Sequence, residues 1–197
     1  MTPFQAVIDT QALIYLTKLG QHVRIWEILP NLFHRLLVPQ EVVEEYNRGL
    51  NKYPEGYPIA DAIDQGGFLE KCTTYDTGTL QIIQADPMVH PGEAEAAAQQ
   101  MNIQSDFIWS DDKPFVNAVR NLLPNVKTFN TLHIIALLDL QSYLADYSLV
   151  VKQLHLVRPI NAGNFLHCYR EAAGHLGHSM TQSQLEEKTD LKKLGVI

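Results

Sequence analysis

The sequence predicts an α/β protein of three layers, with a mainly parallel central sheet between two layers of helices. Two observations carry this. Short apolar runs alternate with helix-like stretches along the chain, in the order strand, helices, strand, helix, strand, helix, strand, helix, strand, helices. Acidic residues stand just after those strands or at the starts of the helices that follow. This is where open α/β sheets gather their ligands, at the carboxyl ends of strands.

The elements follow in order. Phe4-Gln5-Ala6-Val7-Ile8 reads as a short buried strand ending at Asp9, and residues 11–19 as a helix. A second helix covers His22–Leu29 and is expected to stop at Pro30. Leu36-Leu37-Val38 is a strand closed by Pro39, which suits the first turn of the next helix, through Glu41 and Tyr46 toward Gly49. Gly49, Pro54, Gly56 and Pro58 mark a loop. A short helix over Ile59–Asp64 ends at Gly66-Gly67, and Phe68–Thr73 is a strand. Residues 74–91 are ambiguous, with a short helix before Asp86-Pro87 as one reading. Gly92–Met101 is Ala-rich and helical. Asp106–Ser110 is a strand, Asp111-Asp112-Lys113-Pro114 opens a helix to Leu123, and Asn125–Thr128 is the last strand. Helices at 131–141, 147–154 and 162–173 complete a domain over residues 1–173. Residues 174–197 read as a polar tail, flexible or docking on a partner as an arm.

At 197 residues and 46% hydrophobic content the chain can bury a real core. A net charge of −7 argues against a protein that coats nucleic acid by bulk electrostatics, but not against a nuclease whose carboxylates hold a divalent metal. No apolar run reaches the roughly 18 residues of a membrane span, and no cleavable leader is visible at the N-terminus. Cys72 and Cys168 lack CxxC spacing, so a reducing cytoplasmic location is expected.

Four acidic clusters carry the chemistry: Asp9, Glu44/Glu45, Glu93/Glu95 and Asp111/Asp112. Hard cations such as Mg²⁺ and Mn²⁺ take oxygen ligands, commonly a few carboxylates plus waters. Metal-assisted phosphodiester cleavage asks little else of a protein. Each acid also has a plainer reading: Asp112 as a helix cap, Glu93 as a first-turn residue, and one of Glu44 and Glu45 as a solvated face, since adjacent helical side chains diverge by about 100°. Asp9 resists such a reading, because a charge set straight after a buried strand is costly unless paired. Carboxylates that share a cleft raise one another's pKa, so at least one is expected to titrate high without metal.

Four stretches resemble the PIN domain family, the fold of many toxin nucleases of bacterial toxin–antitoxin pairs: VIDTQALIYLTKLG (7–20), LLVPQEVVEEY (36–46), HPGEAEAAA (90–98) and FIWSDDKPFVNAV (107–119). Together they span about residues 4–140, and the latter three are similar to a PIN-like subgroup of uncharacterised bacterial proteins. The resemblance implies a Mg²⁺- or Mn²⁺-dependent ribonuclease that leaves a 5′-phosphate. It assigns metal-binding and catalytic roles to Asp9, Glu45 in preference to Glu44, Glu93, and Asp111 in preference to Asp112, with Asp112 kept as a further metal candidate and Thr10 as a supporting hydroxyl. Two features depart from it. The helix after Asp111 carries Lys113-Pro114-Phe115 where the family usually has arginines, and Phe129-Asn130-Thr131-Leu132 stands where a Thr-Gly is common. The alternative is therefore a PIN-like module that is catalytically weak or inactive and binds RNA or a protein partner.

Other constellations weigh less. His175 and His178 have metal-like spacing but no convergent partners, His90 reads as a loop residue and His133 as a core one. Gln11 removes the second acid that aspartyl phosphatases need, no phosphate-binding glycine loop is present, and Trp26 and Trp109 read as core. The expected partners are an RNA substrate and, through apolar helices between Leu132 and Leu154, a second copy of the chain or an antitoxin.

Overall fold

The structure, a computed structural model, describes residues 3–197. Five strands form one sheet: β1 (Phe4–Ile8), β2 (Phe33–Pro39), β3 (Leu69–Cys72), β4 (Phe107–Trp109) and β5 (Thr128–Phe129). Their order is β3-β2-β1-β4-β5 and every pairing is parallel. The order reverses at β1, so the crevice beyond the ends of β1 and β4 is the topological switch point.

Alternation along the central strands builds a core on each face. Ala6, Ile8, Leu36, Val38, Phe107 and Trp109 enter one cluster, and Val7, Leu37 and Ile108 enter the other. The first cluster lies under α1 (Thr10–Gly20), α2 (Ile25–Leu32), α8 (Thr131–Leu140), α9 (Tyr147–Val157) and α10 (Ala162–His175). The second lies under α5 (Thr77–Gln84), α6 (Pro91–Ile103) and α7 (Lys113–Leu122). The expected α/β/α sandwich is thus present. Helices α3 (Gln40–Gly49) and α4 (Tyr57–Gln65) flank the β2–β3 side.

Several boundaries differ from the sequence reading, among them β5, which is Thr128–Phe129 rather than the expected Asn125–Thr128, and α4, which starts at Tyr57 rather than Ile59. Helix α2 continues through Pro30 to Leu32, because a proline in the last turn removes only one intrahelical bond. Strand β2 begins at Phe33, ahead of the expected Leu36; the polar Arg35 within it pairs with Glu70 on β3, with Nε 2.7 Å from Oε2. The ambiguous stretch holds α5, capped by Asp76, whose Oδ1 accepts the Thr79 N–H at 2.6 Å.

The expectation of a polar tail or arm from Gly174 is corrected. Helix α11 (Gln182–Thr189) packs on the domain itself, and Leu185, Leu191 and Leu194 are buried in the larger core. A polar latch closes the seam: Lys188 Nζ lies 2.7 Å from Asp139 Oδ2, the Tyr169 hydroxyl donates to the same oxygen, and the Tyr147 hydroxyl donates to the Lys188 carbonyl at 2.9 Å. Residues Thr131–Leu138 of α8 are also buried within the chain's own fold, so their apolar character is accounted for without a partner. Among the described residues, no helix is long and apolar enough to cross a membrane.

Replacing Leu185 by Ala should cost about 2–5 kcal/mol of unfolding free energy in a denaturant titration, the range for a fully buried leucine. A loss under about 0.5 kcal/mol, the range of surface changes, would show α11 to be an appendage.

Candidate active site

Asp9 follows β1 directly and is 1% exposed. It is the N-cap of α1: Oδ1 accepts the Ala12 N–H at 2.7 Å, and Oδ2 accepts the Ser110 hydroxyl. Its own N–H extends the ladder to Trp109, at 3.0 Å from the carbonyl. Burial pushes its pKa up to about 7, the hydrogen bonds from Ser110 and Ala12 oppose the rise, and the charges of Glu93 and Asp112 add to it.

Glu93 sits in the first turn of α6, where Oε2 accepts the His90 N–H at 2.8 Å. Its pKa is also raised to about 7, first by burial, then by the charges of Asp112 and Glu45. Asp112 caps α7, Oδ1 accepting the Phe115 N–H at 2.9 Å. Glu45 reaches in from α3, where Thr10 Oγ1 donates to its Oε2 at 2.5 Å. Gly92 makes room for it, since a Cβ there would stand 3.2 Å from that oxygen. Asp9, Glu45, Glu93 and Asp112 therefore form one electrostatic cluster at the switch point. The positive N-terminal ends of α1, α6 and α7 meet there, which favours anionic groups. The capping readings and the cluster are both true of the same residues.

Glu44 and Glu95 stay outside. Glu44 is exposed and accepts from Gln40. Glu95, on the same buried helix as Glu93, accepts the Glu41 N–H at 2.7 Å and so closes the start of α3.

The placement of Asp111 corrects the sequence expectation. Its side chain is fully buried, paired with Arg158 and accepting both the N–H and the hydroxyl of Thr131 at the start of α8. The cause is strand parity. Past β4 the chain stays extended, so Asp111 follows Phe107 and Trp109 toward α8, while Ser110 and Asp112 follow Ile108 to the other side. Counting from Trp109, whose bulk belongs in the larger core, would have found this. Arg158, which sequence reasoning missed, lies far away in sequence and leaves no local signal.

A family model described as "DUF3368: PIN domain" matches residues 5–157. The chain belongs to the PIN domain family. No curated protein and no solved structure matches it significantly. The matched span ends just before Arg158, and α10 and α11 lie beyond it.

In this PIN domain the donor set is all carboxylate oxygen, which suits a hard divalent cation. Two protonatable carboxyls held near 7 by burial and mutual repulsion would also gain from a positive charge beside them. Among the described residues, however, no three His, Cys, Asp or Glu side chains lie close enough to close a metal centre by themselves. His175 is elsewhere, with Nδ1 2.7 Å from Lys127 Nζ, and packs on Phe4, Phe107 and Phe129. His133 is buried, with Nε2 2.8 Å from Glu171 Oε2.

The raised pKa of Asp9 has a thermodynamic consequence. Between its ordinary value of 3.8 and about 7, the folded chain holds a proton that the unfolded chain has lost, so this group removes stability as pH rises through that window. His133 and His175, held low by burial, act in the opposite direction as pH falls, but they cancel in a comparison of two variants. In metal-free buffer, Asp9→Asn should melt close to the parent protein near pH 4 and progressively above it as pH rises to about 7, with the difference levelling off beyond that. A constant difference from pH 5 to 8 would contradict the raised carboxyl.

Proposed function

We propose that this chain is a metal-dependent nuclease that hydrolyses RNA phosphodiesters, with Asp9, Glu45, Glu93 and Asp112 as its working acids. The observation that carries this reading is the coupling of four carboxyl groups in one crevice, two of them pushed to about 7. Membership of a family of nuclease-like fold supports it. Asp9, Glu93 and Asp112 would hold Mg²⁺ or Mn²⁺, and Glu45 would complete the set. When bound, such an ion supplies charge that eases deprotonation of a water and offsets charge building on the phosphate. In the metal-free protein a carboxyl poised near 7 is half ionised at neutral pH, so Asp9 and Glu93 would shed their protons as the cation binds. Ser110 and Thr10 fix the orientations of Asp9 and Glu45 through their hydroxyl donors. Asp111 is a positioning residue, tying the end of β4 to α8 and to Arg158.

One observation favours the second reading, a binding module without catalysis: the acids are not close enough to form a closed centre unaided. On the nuclease reading the protein works in a reducing cytoplasm, for which the two free cysteines are the support. A role as the toxin of a toxin–antitoxin pair, or a homodimer, rests on Leu149 and Leu156 of α9, which remain 40% and 75% exposed.

With Mn²⁺, cleavage of single-stranded RNA by Asp112→Asn should fall by about a hundredfold, through a weaker hold on the ion. Its stability should hold, because Asn caps a helix as well as Asp. Asp111→Asn should instead lose about 3 kcal/mol of stability, since it strands Arg158 in the interior. Equal activity in Asp112→Asn and the parent would remove Asp112 from the site. No cleavage by the parent, with the metal bound, would favour the binding module.

A further inference from the structure

Beside the acid cluster, a cleft of about 250 Å³ lies between α7, α8 and α10. Asp112 lines it, together with Asp111 and Arg158. It runs on into a second hollow of about 360 Å³ that shares Arg120, Thr128, Phe129 and Glu171 and ends at Lys127. The two form one groove leading away from the crevice along β5.

The lining is rich in nitrogen donors. Lys113, Asn117 and Arg120 lie at positions i, i+4 and i+7 of α7, one stripe about 10 Å long. Asn164 and His167 face them from α10. The acids in the groove are already engaged. Asp111 is paired with Arg158, Glu171 lies within 2.8 Å of His133 and 3.2 Å of His167, and Asp112 belongs to the cluster. Lys113 and Arg120 form no ion pair among the described residues. On a chain of net charge −7, the joined groove sets four cations, Lys113, Arg120, Lys127 and Arg158, against three acids, Asp111, Asp112 and Glu171, with Arg120 also acting on Glu171, so it is locally less negative than the chain as a whole. Polyanion binding uses this kind of stripe.

We propose that this groove is the seat of the single-stranded nucleic acid flanking the cleaved bond, with Lys113 and Arg120 on successive phosphates, Asn117 and Asn164 donating to sugar or base edges, and the exposed ring of His167 offering a stacking face. The inference rests on the nuclease reading for its direction, away from Asp112. The groove also offers an answer to the missing arginines at the start of α7: Lys113 opens the helix and Arg120 stands two turns further on.

The test is binding, read without catalysis. A fluorescent RNA hexanucleotide is titrated into the full chain in EDTA, at several salt concentrations, with the parent and the Lys113→Ala/Arg120→Ala double variant. Both residues are exposed, so the fold should be untouched, and circular dichroism checks this. The double variant should bind about tenfold more weakly near 0.1 M salt, and its log–log salt slope should be shallower by about 1.4, from about 0.7 per phosphate contact. A DNA hexamer should show the same slope change, because phosphate is the shared contact. Equal affinity and slope in parent and variant, or a mononucleotide binding as tightly as the hexamer, would overturn the groove assignment. A parallel Mn²⁺ cleavage assay separates the two readings. Cleavage by the parent with unchanged binding in the variant sinks only the groove. Lys113- and Arg120-dependent binding without cleavage sinks only the nuclease reading and leaves the groove standing.

Discussion

The carboxylate of Asp9 is the constraint around which the site is organised. It is placed by the chain itself, at the joint between β1 and α1, and the central position of β1 leaves it almost no access to water. A buried carboxyl must be protonated, hydrogen-bonded or paired with a cation. The Ala12 N–H and the Ser110 hydroxyl meet part of this need. Glu93 and Asp112 then make the need greater by adding like charge. A protein under selection only for stability would gain by replacing one of these acids. Retaining several such acids together is a local cost that a bound cation would reverse.

The sheet order explains why these residues meet. Because β1 lies between β2 and β4, the loops after β1 and β4 diverge to opposite layers, and a crevice opens between them. Helix α6 can lie close over the sheet because it is built from Ala94, Ala96, Ala97 and Ala98, all fully buried. This brings its first turn, with Glu93, down to the strand ends. On the other side, the Asp111–Arg158 pair and Thr131 tie the end of β4 to α8. The two neighbouring aspartates thus divide the work: one anchors the loop and the other faces the crevice.

Much of this was legible in the sequence. The parallel sandwich follows from apolar runs punctuated by Pro, Gly and Asp, and Asp9 could be named because the end of a buried strand fixes its position, whereas the choice of Glu45 over Glu44 and of Glu93 over Glu95 rests on the family resemblance. Other features hid for physical reasons. His34 and Arg35 masked the first half of β2, since an ion pair to Glu70 lets a polar residue occupy a strand near the sheet edge. The last helix was masked because Leu185, Leu191 and Leu194 are sparse in a charged segment, yet each fills the core. Asp111 and Asp112 were exchanged because position after a strand does not decide which layer a side chain enters; parity does. Arg158 was invisible because its contact is purely tertiary.

The central claim, that Asp9 and Glu93 belong to one coupled cluster with Asp112, is tested most directly by carboxyl carbon NMR. Titrating the metal-free protein should show both groups changing ionisation near pH 7, and Asp112→Asn should move the Glu93 titration downward by removing a like charge. Titration of both groups in the ordinary carboxylate range, unmoved by Asp112→Asn, would contradict the account.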